Sequence, residues 1–154
     1  MGRTDRASLL VHADPTRVFA ALVEEHALTR WLPPTGMRGR FERFDMREGG
    51  SYRLVLTYDD ASAAPGKTSA AEDVSEVRIA RLIPGERLVA QVDFESDDPA
   101  FAGTMELDWS VSGSADGTTV VFEARDVPAG IRAHDHAAGM TSSLANLAAY
   151  LGPS

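Results

Sequence analysis

The alternation of apolar and polar positions is sharpest over residues 104–111. Met105, Leu107, Trp109 and Val111 interleave there with Glu106, Asp108 and Ser110. A period of two marks a strand with one buried and one solvated face. Similar runs at residues 7–13, 40–47, 51–58, 74–82, 87–94 and 118–125 predict six more strands. Tyr52, Leu54, Leu56 and Tyr58 share one face of the third. Glu48-Gly49-Gly50, Pro84-Gly85 and Asp116-Gly117 supply turns between neighbours. If Val77 and Ile79 point inward, Glu76 and Arg78 point outward. Residues 59–72, rich in Ala and Ser with Pro65-Gly66, read as a mobile loop.

The period changes twice. After the first strand, Asp14 is placed to cap a short helix and Pro15 suits its first turn. Val18, Phe19 and Leu22 form the buried side of that helix. A second short helix over residues 25–31 ends at Pro33-Pro34-Thr35-Gly36. Near the C-terminus Met140, Leu144, Leu147 and Leu151 recur at 4-3-4 spacing, the single apolar stripe of a long helix. Ala138, Ala145, Ala148 and Ala149 form a second row, expected to let the helix lie close to its support. The order is strand, two short helices, six strands, long helix. It predicts a single α+β domain over residues 1–154, with a seven-stranded antiparallel sheet curved around a helix. Such a grip encloses a space between sheet and helix.

Composition narrows the function classes. Apolar residues at 44% and charged residues at 25% of 154 are ordinary globular values. The formal net charge of -8, with arginines scattered rather than clustered, excludes nucleic acid and anionic membrane surfaces as partners. The absence of cysteine removes disulfides, thiolate metal sites and a cysteine nucleophile, and it fits a reducing cytoplasm. No signal-peptide core or membrane-length apolar run is present, so the chain reads as soluble and cytoplasmic.

The candidate chemistry is sparse. Trp31, Tyr52, Tyr58, Phe94 and Trp109 are the large aromatics expected to face the enclosed space. They read either as core or as an apolar wall with polar tips for a planar or lipid-like ligand. His136 is the one candidate hydrogen-bond donor or general base at the mouth; alternatively His134, Asp135 and His136 form a cluster that caps and docks the helix. His134 and His136 diverge by roughly 200° on a helix, so they do not chelate one metal. Glu95, Asp97 and Asp98 aim too few oxygens at one point for a hard cation. Arg53 and Arg125 are candidate anchors for an acidic ligand. No phosphate loop, zinc-protease motif or nucleophile elbow is present, so no metal, cofactor or catalytic residue is assigned. Burying about 300 Å² of apolar ligand yields roughly 7 kcal/mol, against association costs of about 4 to 15 kcal/mol. Polar anchors must therefore supply selectivity, and Tyr52, Arg53 and His136 are the candidates.

Several segments together resemble a known family. They are Trp31-Leu-Pro-Pro-Thr-Gly36, Asp45-Met-Arg-Glu-Gly-Gly-Ser-Tyr-Arg53, Leu82-Ile-Pro-Gly-Glu-Arg-Leu-Val89, the stretch from Phe94 to Met105, and Asp126-Val-Pro-Ala-Gly-Ile131. Asp135-His136 followed by Gly139 and Ser142-Ser-Leu144 belong with them. The chain resembles the helix-grip SRPBCC superfamily of START domains, pollen-allergen-like proteins and polyketide cyclases. Within it, the similarity is to the bacterial branch named for the activator of heat-shock protein 90 ATPase. The resemblance implies binding of a small hydrophobic or amphipathic molecule. Its alternatives are a chaperone or other protein as partner, and cyclase or dehydratase chemistry; the fold class is also compatible with a homodimer.

Overall fold

The computed structural model describes residues 2–34, 36–59 and 72–152. The loop expected over residues 59–72 therefore lies almost wholly outside the described residues. Seven strands form one antiparallel sheet in the order β1-β7-β6-β5-β4-β3-β2. They are β1 (Arg3–Val11), β2 (Met37–Phe44), β3 (Ser51–Tyr58), β4 (Glu72–Ile83), β5 (Arg87–Phe94), β6 (Met105–Ser114) and β7 (Gly117–Val127). Six of them form a meander, and β1 closes the sheet by pairing with β7. Register shifts at Arg3/Asp5, Phe41/Arg43 and Ile79/Arg81 mark bulges, which bend a strand and raise its twist.

Two strands begin three or four residues earlier than the alternation predicts. β1 starts at Arg3 rather than at residue 7. Arg3 and Asp5 carry charge on the helix-facing side, where a hydrophobicity pattern expects none. β2 spans Met37–Phe44 rather than 40–47, because Asp45 N–H already donates to Ser51 O (2.9 Å) and Gly50 N–H to Arg47 O (2.8 Å) as the chain turns.

The helices begin as their sequences dictate. Asp14 Oδ1 accepts from Arg17 N–H (2.9 Å), with Pro15 in the first turn of α1 (Pro15–Val23). In α2 (Glu25–Trp31), Trp31 turns back so that its indole N–H donates to Ala21 O (2.8 Å), which fixes α2 on α1. The long helix α3 (Ala133–Leu151) stops at Gly152, whose φ of 75° suits the left-handed region.

The stripe of α3 behaves as expected: Met140, Leu144, Leu147 and Leu151 are all buried, joined by Ser143. The row of small residues does not. Ala138, Ala145 and Ala149 face away from the core, and Ala148 alone packs against it. The helix is instead held along its two flanks by polar contacts. On one, Ser143 Oγ donates to Leu32 O (2.8 Å) and Asn146 Nδ2 to Pro33 O (3.0 Å). On the other, His136 Nδ1 lies 2.7 Å from Asp5 Oδ2 on β1. α3 thus bridges from the edge strand β1 to the segment that leads into the opposite edge strand β2.

Candidate functional site

Strand register defines the inner face of the sheet row by row. Phe41, Leu54, Ser75 and Phe94 lie side by side across β2, β3, β4 and β5. The next row toward the open end is Gly39, Leu56 and Asp73, and beyond it Met37 pairs with Tyr58. On the other side of the Ser75 row come Phe44, Tyr52, Val77, Val92 and Met105. Gly39 leaves room for Pro33: an added Cβ would come within 2.9 Å of the proline ring.

Burial divides this face into two zones. In the first, Trp31 is fully buried and Trp109 is 5% exposed. Their rings meet edge to face at 5.5 Å, and Trp109 stacks on Phe122 with centroids 3.6 Å apart. Trp31 and Trp109 therefore fill the grip under α1 and α2. Tyr52 is also buried, against Phe41 and Phe44 at 5.1 and 5.7 Å. Burial pushes its hydroxyl well above the usual tyrosine range.

The second zone is less filled. Phe41, Leu56, Tyr58 and Phe94 are half-buried, although each points to the same side as the core. Two polar residues sit among them, Asp73 and Ser75, at 4% and 7% exposure. Tyr58 hydroxyl donates to Asp73 Oδ2 at 3.4 Å. Burial raises the Tyr58 pKa first, and the carboxylates of Asp73 and then Asp135 add to the effect. Asp135 lies in the first turn of α3.

Of the seven residues singled out by sequence, the structure brings Tyr58 and Phe94 into this zone and sets Tyr52 at its border. Trp31 and Trp109 lie in the filled zone. Arg53 is on the opposite, outer face. Its Nε donates to Glu42 (2.8 Å) and its Nη2 to Glu95 (2.5 Å). Arg125, the other candidate anchor, is also outward, bonded to Glu106 (2.9 Å), Glu123 (2.6 Å) and Asp108 (2.9 Å). Period two accounts for both, since each alternates with inward neighbours. Glu76 and Arg78 face outward as expected, paired with Arg43 and Asp93.

His136 bonds Asp5, whose carboxylate also receives Arg3 Nε at 3.1 Å and Nη2 at 3.0 Å. Burial would raise the Asp5 pKa, but the hydrogen bonds from Arg3 and His136 outweigh it and hold the carboxyl below its usual range. Arg3 Nη2 also donates to Ile131 O (2.5 Å), so the cluster ties β1 to the start of α3. Sequence reasoning missed Asp73 and Ser75, yet the signal was present. In Asp73-Val-Ser-Glu-Val-Arg-Ile79 the inward set is Asp73, Ser75, Val77 and Ile79.

Among the described residues, two surface depressions lie outside the grip. One, of about 450 Å³, is bounded by Arg30, Pro33, Met37, Asn146 and Tyr150. The other runs along α3 past His134, Ala138, Thr141 and Ala145. Among the described residues, no group of three or more His, Asp or Glu is placed to hold a metal ion. Among them too, no helix is long and apolar enough to cross a membrane.

A seven-stranded antiparallel sheet closed over a long C-terminal helix, with two short helices after the first strand, is the helix-grip fold of the SRPBCC superfamily. Residues 12–152 match the family described as activator of Hsp90 ATPase homolog 1-like protein, and the chain belongs to that family. Among solved structures it is similar to protein CV1439 from Chromobacterium violaceum, with 27% identity, a TM-score of 0.85, and 98% of each chain covered. It is similar also to the AHSA1 protein from Silicibacter pomeroyi, at 18% identity, a TM-score of 0.77 and 97% of each chain. A third is DynU16, of the dynemicin biosynthetic locus. There the identity is 21% and the TM-score 0.70, covering 96% of this chain and 46% of that one. No curated protein matches the chain.

Proposed function

We propose that this chain holds a small hydrophobic or amphipathic molecule between the inner sheet face and α3, as a cytoplasmic carrier or receptor. The observation that carries this reading is the second zone of the inner face. Half-buried Phe41, Leu56 and Phe94 lie beside polar Tyr58, Asp73 and Ser75. A core needs no inward carboxylate, because an apolar side chain there costs less to bury. A binding surface does need a few placed polar groups within an apolar lining. A fold relative from a biosynthetic locus agrees with a small-molecule ligand. Tyr52, Tyr58 and Phe94 then line the site, Trp31 and Trp109 form its floor, and His136 holds its helical wall in place.

Native mass spectrometry of the protein purified from its source cell tests the reading. A stoichiometric small-molecule adduct, identified after denaturing extraction, is the expected result. An unliganded mass in that preparation counts against it. The family description favours a second reading, a chaperone as partner. Stimulation of the ATPase of an Hsp90-type chaperone by the added chain would support that reading instead.

A further inference from the structure

The arginines of this chain are, with few exceptions, committed to partners. Arg6 pairs with Glu123, Arg38 with Asp59, Arg40 with Glu42, Arg47 with Asp45 and Arg78 with Asp93, while Arg17 donates to Leu151 O. Among the described residues, Arg30, Arg81 and Arg132 have neither an ion pair nor a side-chain hydrogen bond. Of these three, Arg30 alone borders a depression, the one of about 450 Å³ between α2 and the end of α3. No other charged residue lines it among the described residues. The last turn of α2 favours a cation at this place, since its carbonyls carry the negative end of the helix dipole. That accounts for the charge of Arg30 but leaves its guanidinium donors without a protein acceptor.

We propose that this cleft is a second binding site, for a small monocarboxylate with an apolar body, whose carboxylate is received by Arg30. The site lies outside the grip and stands independently of the ligand reading above. Its frame is fixed by contacts between the elements that form it. Asn146 Nδ2 donates to Pro33 O (3.0 Å), Ser143 Oγ to Leu32 O (2.8 Å) and Met37 N–H to Pro34 O (3.0 Å). Pro33, Pro34, Met37 and Ala149 offer an apolar wall in which the two prolines are stiff. Around it stand polar groups with capacity to spare. The Tyr150 hydroxyl has no partner among the described residues, and Asn146 keeps its carbonyl oxygen and one N–H. A pocket of this kind, mostly apolar with a few placed polar groups, suits a small organic molecule. The planar guanidinium fork matches a carboxylate through two parallel hydrogen bonds. One arginine balances one negative charge, so a dianionic phosphate would keep a charge unpaired, and an amine would meet repulsion.

The test titrates the protein with 3-phenylpropionate and with its neutral amide, 3-phenylpropionamide, and follows backbone amide shifts by nuclear magnetic resonance. The acid is expected to bind with a Kd on the order of 1 mM and to move the amides of Met37, Ala149 and Tyr150. The neutral amide should bind about tenfold more weakly, as the loss of a charge-assisted pair implies. A net charge of -8 repels anions in general, so a preference for the acid is not a bulk effect. Arg30→Gln should erase the preference. Arg132→Gln removes another unpaired arginine, at the opposite end of α3, and should leave it intact. Ala149→Glu, at an exposed helical position, supplies Arg30 with a carboxylate from the chain itself and should abolish binding; it serves if Arg30→Gln does not fold. Equal binding of acid and amide, or an acid preference that survives in Arg30→Gln and Ala149→Glu, overturns the proposal. So does the absence of shifts at Met37, Ala149 and Tyr150. Shifts confined to Leu56 and Phe94 would place the probe in the grip instead, which supports the first site and removes this one.

Discussion

Replacing Trp109 with alanine separates core from cavity wall. The side chain is 5% exposed, stacked on Phe122 at 3.6 Å and met edge-on by Trp31 at 5.5 Å. A buried tryptophan removes about 150 to 250 Å² from water, which at ~25 cal/mol/Å² corresponds to about 4 to 6 kcal/mol. Truncations of this kind cost about 3 to 5 kcal/mol in practice, because the neighbours relax only in part. A domain whose whole stability is about 5 to 15 kcal/mol would lose a large fraction of it. Urea unfolding followed by far-ultraviolet circular dichroism reads the loss, and the fluorescence of the remaining Trp31 reports the local packing. Combining Trp109→Ala with Phe122→Leu should show a coupling of about 0.5 to 1.5 kcal/mol, the usual size for a stacked pair. A loss below about 1 kcal/mol would refute the reasoning. Trp109 would then border a space that its removal merely enlarges.

Two further outcomes follow from the polar framework. Asp108 receives Arg87 Nε at 3.0 Å and Arg125 Nη2 at 2.9 Å. The Arg87 hydrogen bond is the largest influence on its carboxyl, followed by burial, which opposes it, and then Arg125; the net effect lies below the usual carboxylate range. A folded pKa beneath the unfolded value near 3.9 gives stability that is complete above that value and lost as pH falls through the folded pKa. Thermal melts of Asp108→Asn should therefore lie below wild type at pH 7 and converge with it on acidification; parallel curves would contradict this. His136→Ala should cost about 1 to 2 kcal/mol and speed hydrogen exchange in the first turns of α3, while amides of the β4–β5 pair stay protected. Unchanged exchange at residues 136–140 would show that the Asp5 contact does not hold the helix.

Legibility of the fold tracked the strength of the periodicity. The β5 and β3 limits and the α3 stripe were readable because each alternation is long and its turns carry Gly or Pro. The start of β1 was hidden, since Arg3 and Asp5 point inward and are satisfied by His136 and by Ile131 O, contacts 128 or more residues away. The same limit applies to Arg53. Its alternation with Tyr52 and Leu54 already implied an outward direction, but its pairing with Glu95 on β5 depends on sheet order. Asp73 shows the opposite failure. Its inward direction was available from Val77 and Ile79, yet a charged residue beside the loop at 59–72 reads as solvated until the register with Leu56 is known.

The sorting of charge between the faces bears on how far function can travel with this fold. Chains with 14% to 27% identity keep TM-scores of 0.70 to 0.85. Such tolerance is expected when the architecture depends on which positions are apolar, not on which apolar residue fills them. The outer pairs conform to the same rule, for exposed ion pairs contribute little individually and substitute for one another. The inner zone is different in kind. A single inward carboxylate has no equivalent elsewhere on β2–β5 among the described residues, and exchanging Asp73 for a valine would leave the apolar pattern intact while removing its one charge. Relatives that share this fold are free to differ in ligand by changes at two or three inward positions. On the ligand reading proposed above, Asp73, Ser75 and Tyr58 are those positions here, and their side chains, rather than the resemblance of the folds, would select what is bound.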